Sequence, residues 1–156
     1  MDKNLIEQFA DGGPRLRAAV AGLDERDLSA TPGPGTWSTR QLVIHLADSD
    51  AIAIDRMKRI LTEVNPTLLY ADETAYCDRL HCEAQSVDDA VALFEIGRRQ
   101  FARVLHQLPD EAFSRSGTHN KRGEMTLGDL VAGYVGHLEH HLEFLHAKRE
   151  RLGKPA

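Results

Sequence analysis

Eight histidines among 156 residues are an unusual density, and three have the spacing that metal chemistry needs. In Tyr134-Val135-Gly136-His137-Leu138-Glu139-His140-His141-Leu142, His137 and His141 stand four residues apart. Residues so spaced on an α-helix differ by about 40° in azimuth and ~6 Å in height, so the two imidazoles share a face. The apolar stripe of this segment is Leu127, Leu130, Val131, Tyr134, Leu138, Leu142 and Leu145. Turning at about 100° per residue puts His141 inside that stripe and His137 on its flank, with His140 pointing outward among Glu139 and Glu143. His45, in Leu42-Val43-Ile44-His45-Leu46-Ala47-Asp48, lies at the edge of a second apolar face. An imidazole beside buried leucines must be paired or ligated, because an unsatisfied buried polar group costs a few kcal/mol. Three neutral imidazoles that meet bind a divalent first-row metal and leave a fourth position for water or substrate, as in catalytic rather than structural zinc sites. Asp48 is the candidate to orient a ligating ring or a bound water. Against this stands a plainer reading, in which each histidine is a packing residue satisfied by a carbonyl or carboxylate. Joint placement on the inward faces of two helices brings the metal reading level with it.

Other reactive side chains offer less. Cys77, His81 and Cys82 are soft ligands close in sequence, but zinc ribbons and fingers pair such ligands with a second cluster, which is missing. They are read as free thiols, one of which could approach the histidines from a loop. His106 and His119 read as ordinary helix-end and loop residues, and His146 as a residue favoured near a helix C-terminus. Asp48, Tyr134 and, for an anionic substrate, Arg98 or Arg99 are candidate helpers; each is better explained as structural or solvated, so no catalytic residue is assigned. Trp37 reads as a helix-start anchor. A di-iron site is disfavoured, since it needs inward Glu-x-x-His pairs and the nearby Glu139 points outward.

These residues need helices to hold them. Pro and Gly cluster at Gly12-Gly13-Pro14, Pro32-Gly33-Pro34-Gly35, Pro66 and from Pro109 to Gly123. The segments between have helical periodicity, with no convincing alternating strand. Residues 2–22 read as a kinked helix or two short ones around Pro14. Ser38 with Gln41 forms a capping box, with Trp37 and Leu42 as its staple, for a helix running to about Leu61 or Glu63. Its apolar face is Leu42, Leu46, Ala53, Met57 and Ile60. Tyr70–Tyr76 suggests the start of a short helix. Ser86 caps a third long helix with the stripe Ala90, Phe94, Gly97, Phe101, Val104 and Leu108, ended by Pro109. Ser114 to Gly123 reads as a loop. Thr126 repeats the start chemistry of Ser38, for a helix reaching about Leu152. The expectation is an all-α four-helix bundle in a single domain over residues 1–156.

Composition narrows the function. Lys plus Arg number 19 and Asp plus Glu 24, a formal charge of −5 with no basic run, which argues against nucleic-acid binding. No apolar run approaches the ~20 residues needed to span a bilayer. Met1-Asp2-Lys3-Asn4 carries no signal pattern, and two cysteines exclude a disulfide scaffold, so a reducing cytoplasm is expected.

Pro32-Gly33-Pro34-Gly35-Thr36-Trp37-Ser38 leading into His45-Leu46-Ala47-Asp48, then Met125-Thr126-Leu127 leading into His137-x-x-x-His141, resembles the DinB-like (YfiT-like) superfamily of four-helix bundle metal proteins. The likeness covers nearly the whole chain, including the Arg98-Arg99 region. It implies an up-down-down-up bundle, a metal held by His45, His137 and His141, and a homodimer. Members bind zinc, nickel or other divalent ions, and include transferases of low-molecular-weight thiols. The implied activity is a metal-activated thiol or water acting on a small-molecule substrate, by transfer or hydrolysis. The alternative is a non-catalytic, metal-binding or stress-associated dimeric bundle.

Overall fold

The computed structural model describes residues 3–31 and 37–155. The residues at positions 32–36, which open the first quoted motif, and the first two residues lie outside this range. Helix α1 (Lys3–Val20) runs unbroken through Gly12-Gly13-Pro14, where the sequence suggests a kink or two shorter helices. Pro14 is exposed, so water can meet the carbonyl that its missing N–H leaves unbonded. Gly12 and Gly13 are buried where neighbouring helices press close. A Cβ on Gly13 would lie 2.7 Å from Glu95 Cα, and one on Gly12 2.7 Å from Leu138 Cδ2. These glycines permit close packing and do not end the helix.

A short helix α2 (Glu25–Ser29), capped by Asp24, precedes helix α3 (Thr39–Thr62). The Ser38–Gln41 capping box is formed in both directions, at 2.7 and 3.1 Å. Leu42, Leu46, Ala53, Met57 and Ile60 are all buried, as the spacing predicts. Strand β1 (Thr67–Leu68) and helix α4 (Glu73–Arg79), capped by Asp72, follow. Helix α5 (Val87–Leu105) starts at Ser86. Its buried face includes Ala90, Phe94 and Phe101 but not Val104, which is 42% exposed; Arg98 and Leu105 fill the stripe instead.

The polar stretch expected as a loop is a hairpin of β2 (Ser116–His119) and β3 (Gly123–Thr126), with Gly123 at φ 80° closing the turn. β2 pairs parallel to β1 and antiparallel to β3, giving a small three-stranded sheet. Strands of two to four residues are too short to write an alternating pattern into the sequence. Helix α6 (Leu127–Arg151) then begins from a complete Thr126–Asp129 capping box.

Contacts fix the directions of the four long helices. Arg17 meets Glu95 and Glu7 meets His106, so α1 and α5 are antiparallel. Gly12 packs on Leu138 while the Ala19 carbonyl accepts from Arg149, so α1 and α6 run together. His45 lies by His137 and Arg56 by Tyr134, opposing α3 to α6. The result is an up-down-down-up four-helix bundle, with the sheet a minor addition. Two apolar clusters fill it. Arg98, fully buried, bridges them, its guanidinium 4.3 Å from the Phe94 ring and 4.7 Å from Phe9. It donates to both oxygens of buried Asp50, at 2.5 and 2.9 Å, and to the Tyr134 carbonyl at 2.8 Å. Arg98 is therefore a core clamp and not a receptor for an anionic substrate; Arg99 is exposed and pairs with Glu95. Among the described residues, no helix is long and apolar enough to cross a membrane.

Candidate metal centre

Two capping boxes set the register of the site. His45 falls seven residues after Ser38, two turns into α3, and His137 and His141 fall three and four turns into α6 after Thr126. Because α3 and α6 are antiparallel and adjacent, the three rings meet. His45 Nε2 lies 3.2 Å from His137 Nε2, and His141 Nε2 lies 3.1 Å from the same atom. Ring planes cross at 68–86°, so the rings meet edge-on, with these nitrogens and not the ring faces in closest approach. His45, set at the edge of its apolar face by the sequence, is buried, while His141, set within its stripe, and His137, set on its flank, are both half-buried. His140 is exposed, as expected.

Burial holds all three imidazoles neutral. Desolvation lowers His45 to about 4. It lowers His141 to about 4 and His137 to about 3, the last helped by its two imidazole neighbours. Neutral rings keep the Nε2 lone pairs that a cation requires. The spacing fits an ion as well: metal–nitrogen bonds of about 2.0–2.1 Å at tetrahedral angles need ligand nitrogens ~3.3 Å apart. His45 Nδ1 is paired with Ser49 Oγ at 3.3 Å, which orients the ring. Among the described residues the Nδ1 atoms of His137 and His141 are buried without a partner, a cost that ligation through Nε2 can offset. Together these observations fit a divalent ion held by three histidines.

The ring-orienting role expected of Asp48 falls to Ser49. Asp48 instead lines a cavity of about 320 Å3 into which His45 and His137 open, and burial pushes its carboxyl up. Cys77 and Cys82 are free, buried, and reach the same wall. Burial and the neighbouring Cys77 push the Cys82 thiol up to about 12, so it is no ready thiolate. Glu73, at the start of α4, places Oε2 3.9 Å from His45 Nε2. Trp37 packs edge-on against His45 at 5.3 Å between centroids.

Sequence reasoning missed Ser49, Arg56, Glu73, His119 and Arg122. Ser49 and Arg56 lie four and eleven residues after His45, hence on its face of α3, so the wheel carried that signal. Glu73 depends on where α4 begins. His119 and Arg122 depend on the hairpin; His119, read as a loop residue, is buried in β2.

Comparison with known proteins agrees with this architecture. A protein of Bacillus licheniformis described as a candidate metal-dependent hydrolase is 32% identical over 139 residues, 88% of this chain and 79% of its own. One from Bacillus cereus, described in the same way, is 29% identical over 147 residues, 94% of this chain and 84% of its own. The structure of YfiT from Bacillus subtilis, for which metal-dependent hydrolase activity has been inferred and an unusual four-helix bundle topology described, superposes with a TM-score of 0.90. It has 27% identity and covers 96% of this chain and 86% of its own. The model of the DinB superfamily matches residues 8–145, and the chain belongs to that superfamily.

Proposed function

We propose that this protein is a metal-dependent enzyme that activates a thiol or a water for transfer to, or hydrolysis of, a small molecule. The observation that carries the reading is the convergence of three neutral histidines, from two helices, beside a cavity of small-molecule size. His45, His137 and His141 would hold the ion through Nε2, and imidazole donors suit zinc and nickel, the ions this reading favours. A divalent ion there supplies Lewis acidity and lowers the pKa of a coordinated water or thiol towards neutrality. The chain's own residues do the rest. Ser49 holds the His45 ring by its Nδ1, and Trp37 covers one side of that ring. Glu73 Oε2 is near enough to take the proton that the nucleophile releases, and Asp48 is a second acceptor on the same wall. Residues 1–156 are read as one domain, acting as the homodimer that the family resemblance implies, in the cytoplasm.

The test is conjugation of a low-molecular-weight thiol to a fluorogenic electrophile such as monochlorobimane, beside hydrolysis of an activated ester. Metal-loaded protein is expected to accelerate one of them, and both a chelator and His137→Ala should abolish the rate. Rates equal to buffer in both assays, with metal loaded, would favour the non-catalytic alternative.

A further inference from the structure

The cavity is chemically asymmetric along α3. His45 and Arg56 lie eleven residues apart, or ~16 Å of helix rise, and mark its two ends. Near His45 stand Asp48, Glu73 and the two thiols. Near Arg56 stand Tyr134, His119 and Arg122. At this second end the acceptor atoms of Tyr134 and His119 are already used. The Tyr134 hydroxyl oxygen accepts from Arg56 Nη1 at 3.0 Å, leaving its own proton to donate. His119 Nδ1 accepts the backbone N–H groups of Lys121 and Arg122, at 3.1 and 3.3 Å, which places the proton of the neutral ring on Nε2. Burial and the surrounding cations Arg56, Arg122 and Lys121 push the pKa of that ring down. Among the described residues Arg56 donates to Tyr134 and the Leu69 carbonyl, and neither it nor Arg122 has a carboxylate partner. Of the nearby acids, Asp129 spends its Oδ2 on the Thr126 backbone N–H and hydroxyl, and Asp50 is held by Arg98. What remains facing the cavity is mostly donors, with the guanidiniums of Arg56 and Arg122 set against the single carboxylate of Asp129, a surface that suits an oxyanion.

Building on the metal reading above, we propose that Arg56, Arg122, His119 and Tyr134 form the specificity end of the site and select a small substrate bearing a carboxylate, whose reacting group then lies towards the histidines. The planar guanidinium fork of Arg56 matches a carboxylate, and Tyr134 connects the two ends, its ring 5.8 Å from that of His137. Arg56 binds the Leu69 carbonyl as well, so the anion end is braced against the segment that leads from β1 to α4.

The test compares binding of glutarate and its neutral diamide, glutaramide, by calorimetry. It uses metal-loaded and chelator-stripped protein, as wild type, Arg56→Gln, Arg56→Lys, Arg122→Gln and His137→Ala. Glutarate is expected to bind stripped wild-type protein at least tenfold more tightly than glutaramide. That preference should fall to about unity in Arg56→Gln, weaken several-fold in Arg122→Gln, partly return in Arg56→Lys and persist in His137→Ala. Equal binding of acid and diamide, or a preference that survives both glutamine variants, overturns the proposal. A preference lost on stripping but kept in the arginine variants also overturns it, placing the anion on the metal while the metal reading stands. A preference that follows the arginines in a protein that takes up no metal sustains this proposal while the metal reading falls.

Discussion

Replacing Asp50 by Ala should do more damage than almost any other single substitution in this fold. Asp50 and Arg98 have side-chain exposures of 1% and 0%, and each relies on the other for its charge. Burial pushes the Asp50 carboxyl up, and the Arg98 guanidinium offsets only part of that rise. Removing the carboxylate strands a guanidinium that cannot give up its proton, between Phe9 and Phe94. Breaking a buried pair from one side costs about 3–5 kcal/mol. For a chain of this length that is roughly 6–20 °C in Tm, against a total stability of about 5–15 kcal/mol. Arg98→Met should cost less, because the orphaned Asp50 can neutralise itself by taking a proton. The double variant Asp50→Ala, Arg98→Met should be more stable than Asp50→Ala alone. Urea unfolding followed by circular dichroism, at constant m-value, measures all three. The exposed Arg15–Glu139 pair is the control, with an expected cost of about 0–1 kcal/mol. The reasoning is refuted if Asp50→Ala costs no more than that control, or if Arg98→Met is the worse of the two.

Three further outcomes are expected. Gly12→Ala forces a Cβ against Leu138 and Arg98 and should cost about 1–3 kcal/mol in the same unfolding assay, despite the better helix propensity of Ala. Ser38→Ala and Thr126→Ala each remove a cap that sets the register of the histidines; each should cost about 0.5–2 kcal/mol and loosen metal binding, read by competition with a chromophoric chelator. In metal-free protein the folded-state pKa values of His45, His137 and His141 lie below the ordinary value of 6.5, so the unfolded chain binds protons first. Stability should therefore be complete above about pH 6.5 and fall as pH drops towards 4 and 3, and His137→Ala should flatten that slope in urea titrations.

The long helices were legible because their start signals are local. Ser38-x-x-Gln41, Ser86 and Thr126-x-x-Asp129 each act within four residues, so no distant contact is needed to place them. That placement alone brought His45, His137 and His141 onto inward faces. The kink expected at Gly12-Gly13-Pro14 did not form because α5 and α6 pack against those glycines, a tertiary fact absent from the local pattern. Arg98, a candidate helper better explained as structural or solvated, has its partner Asp50 48 residues away, so no local pattern names the pair. The hairpin was hidden since its strands are short and polar, and with it went the roles of His119 and Arg122. The wheel orders residues around one helix, while the burial of His45 depends on Trp37 and α6 packing over it.

The central claim is that His45, His137 and His141 share one divalent ion. Elemental analysis of untagged protein, purified without added metal, tests it most directly, run beside the triple variant with all three histidines replaced by alanine. The account predicts about one zinc or nickel per wild-type chain, as a three-histidine site requires, and none above background in the variant. The same metal content in both proteins, or none in a correctly folded wild type even after incubation with either ion, would contradict it.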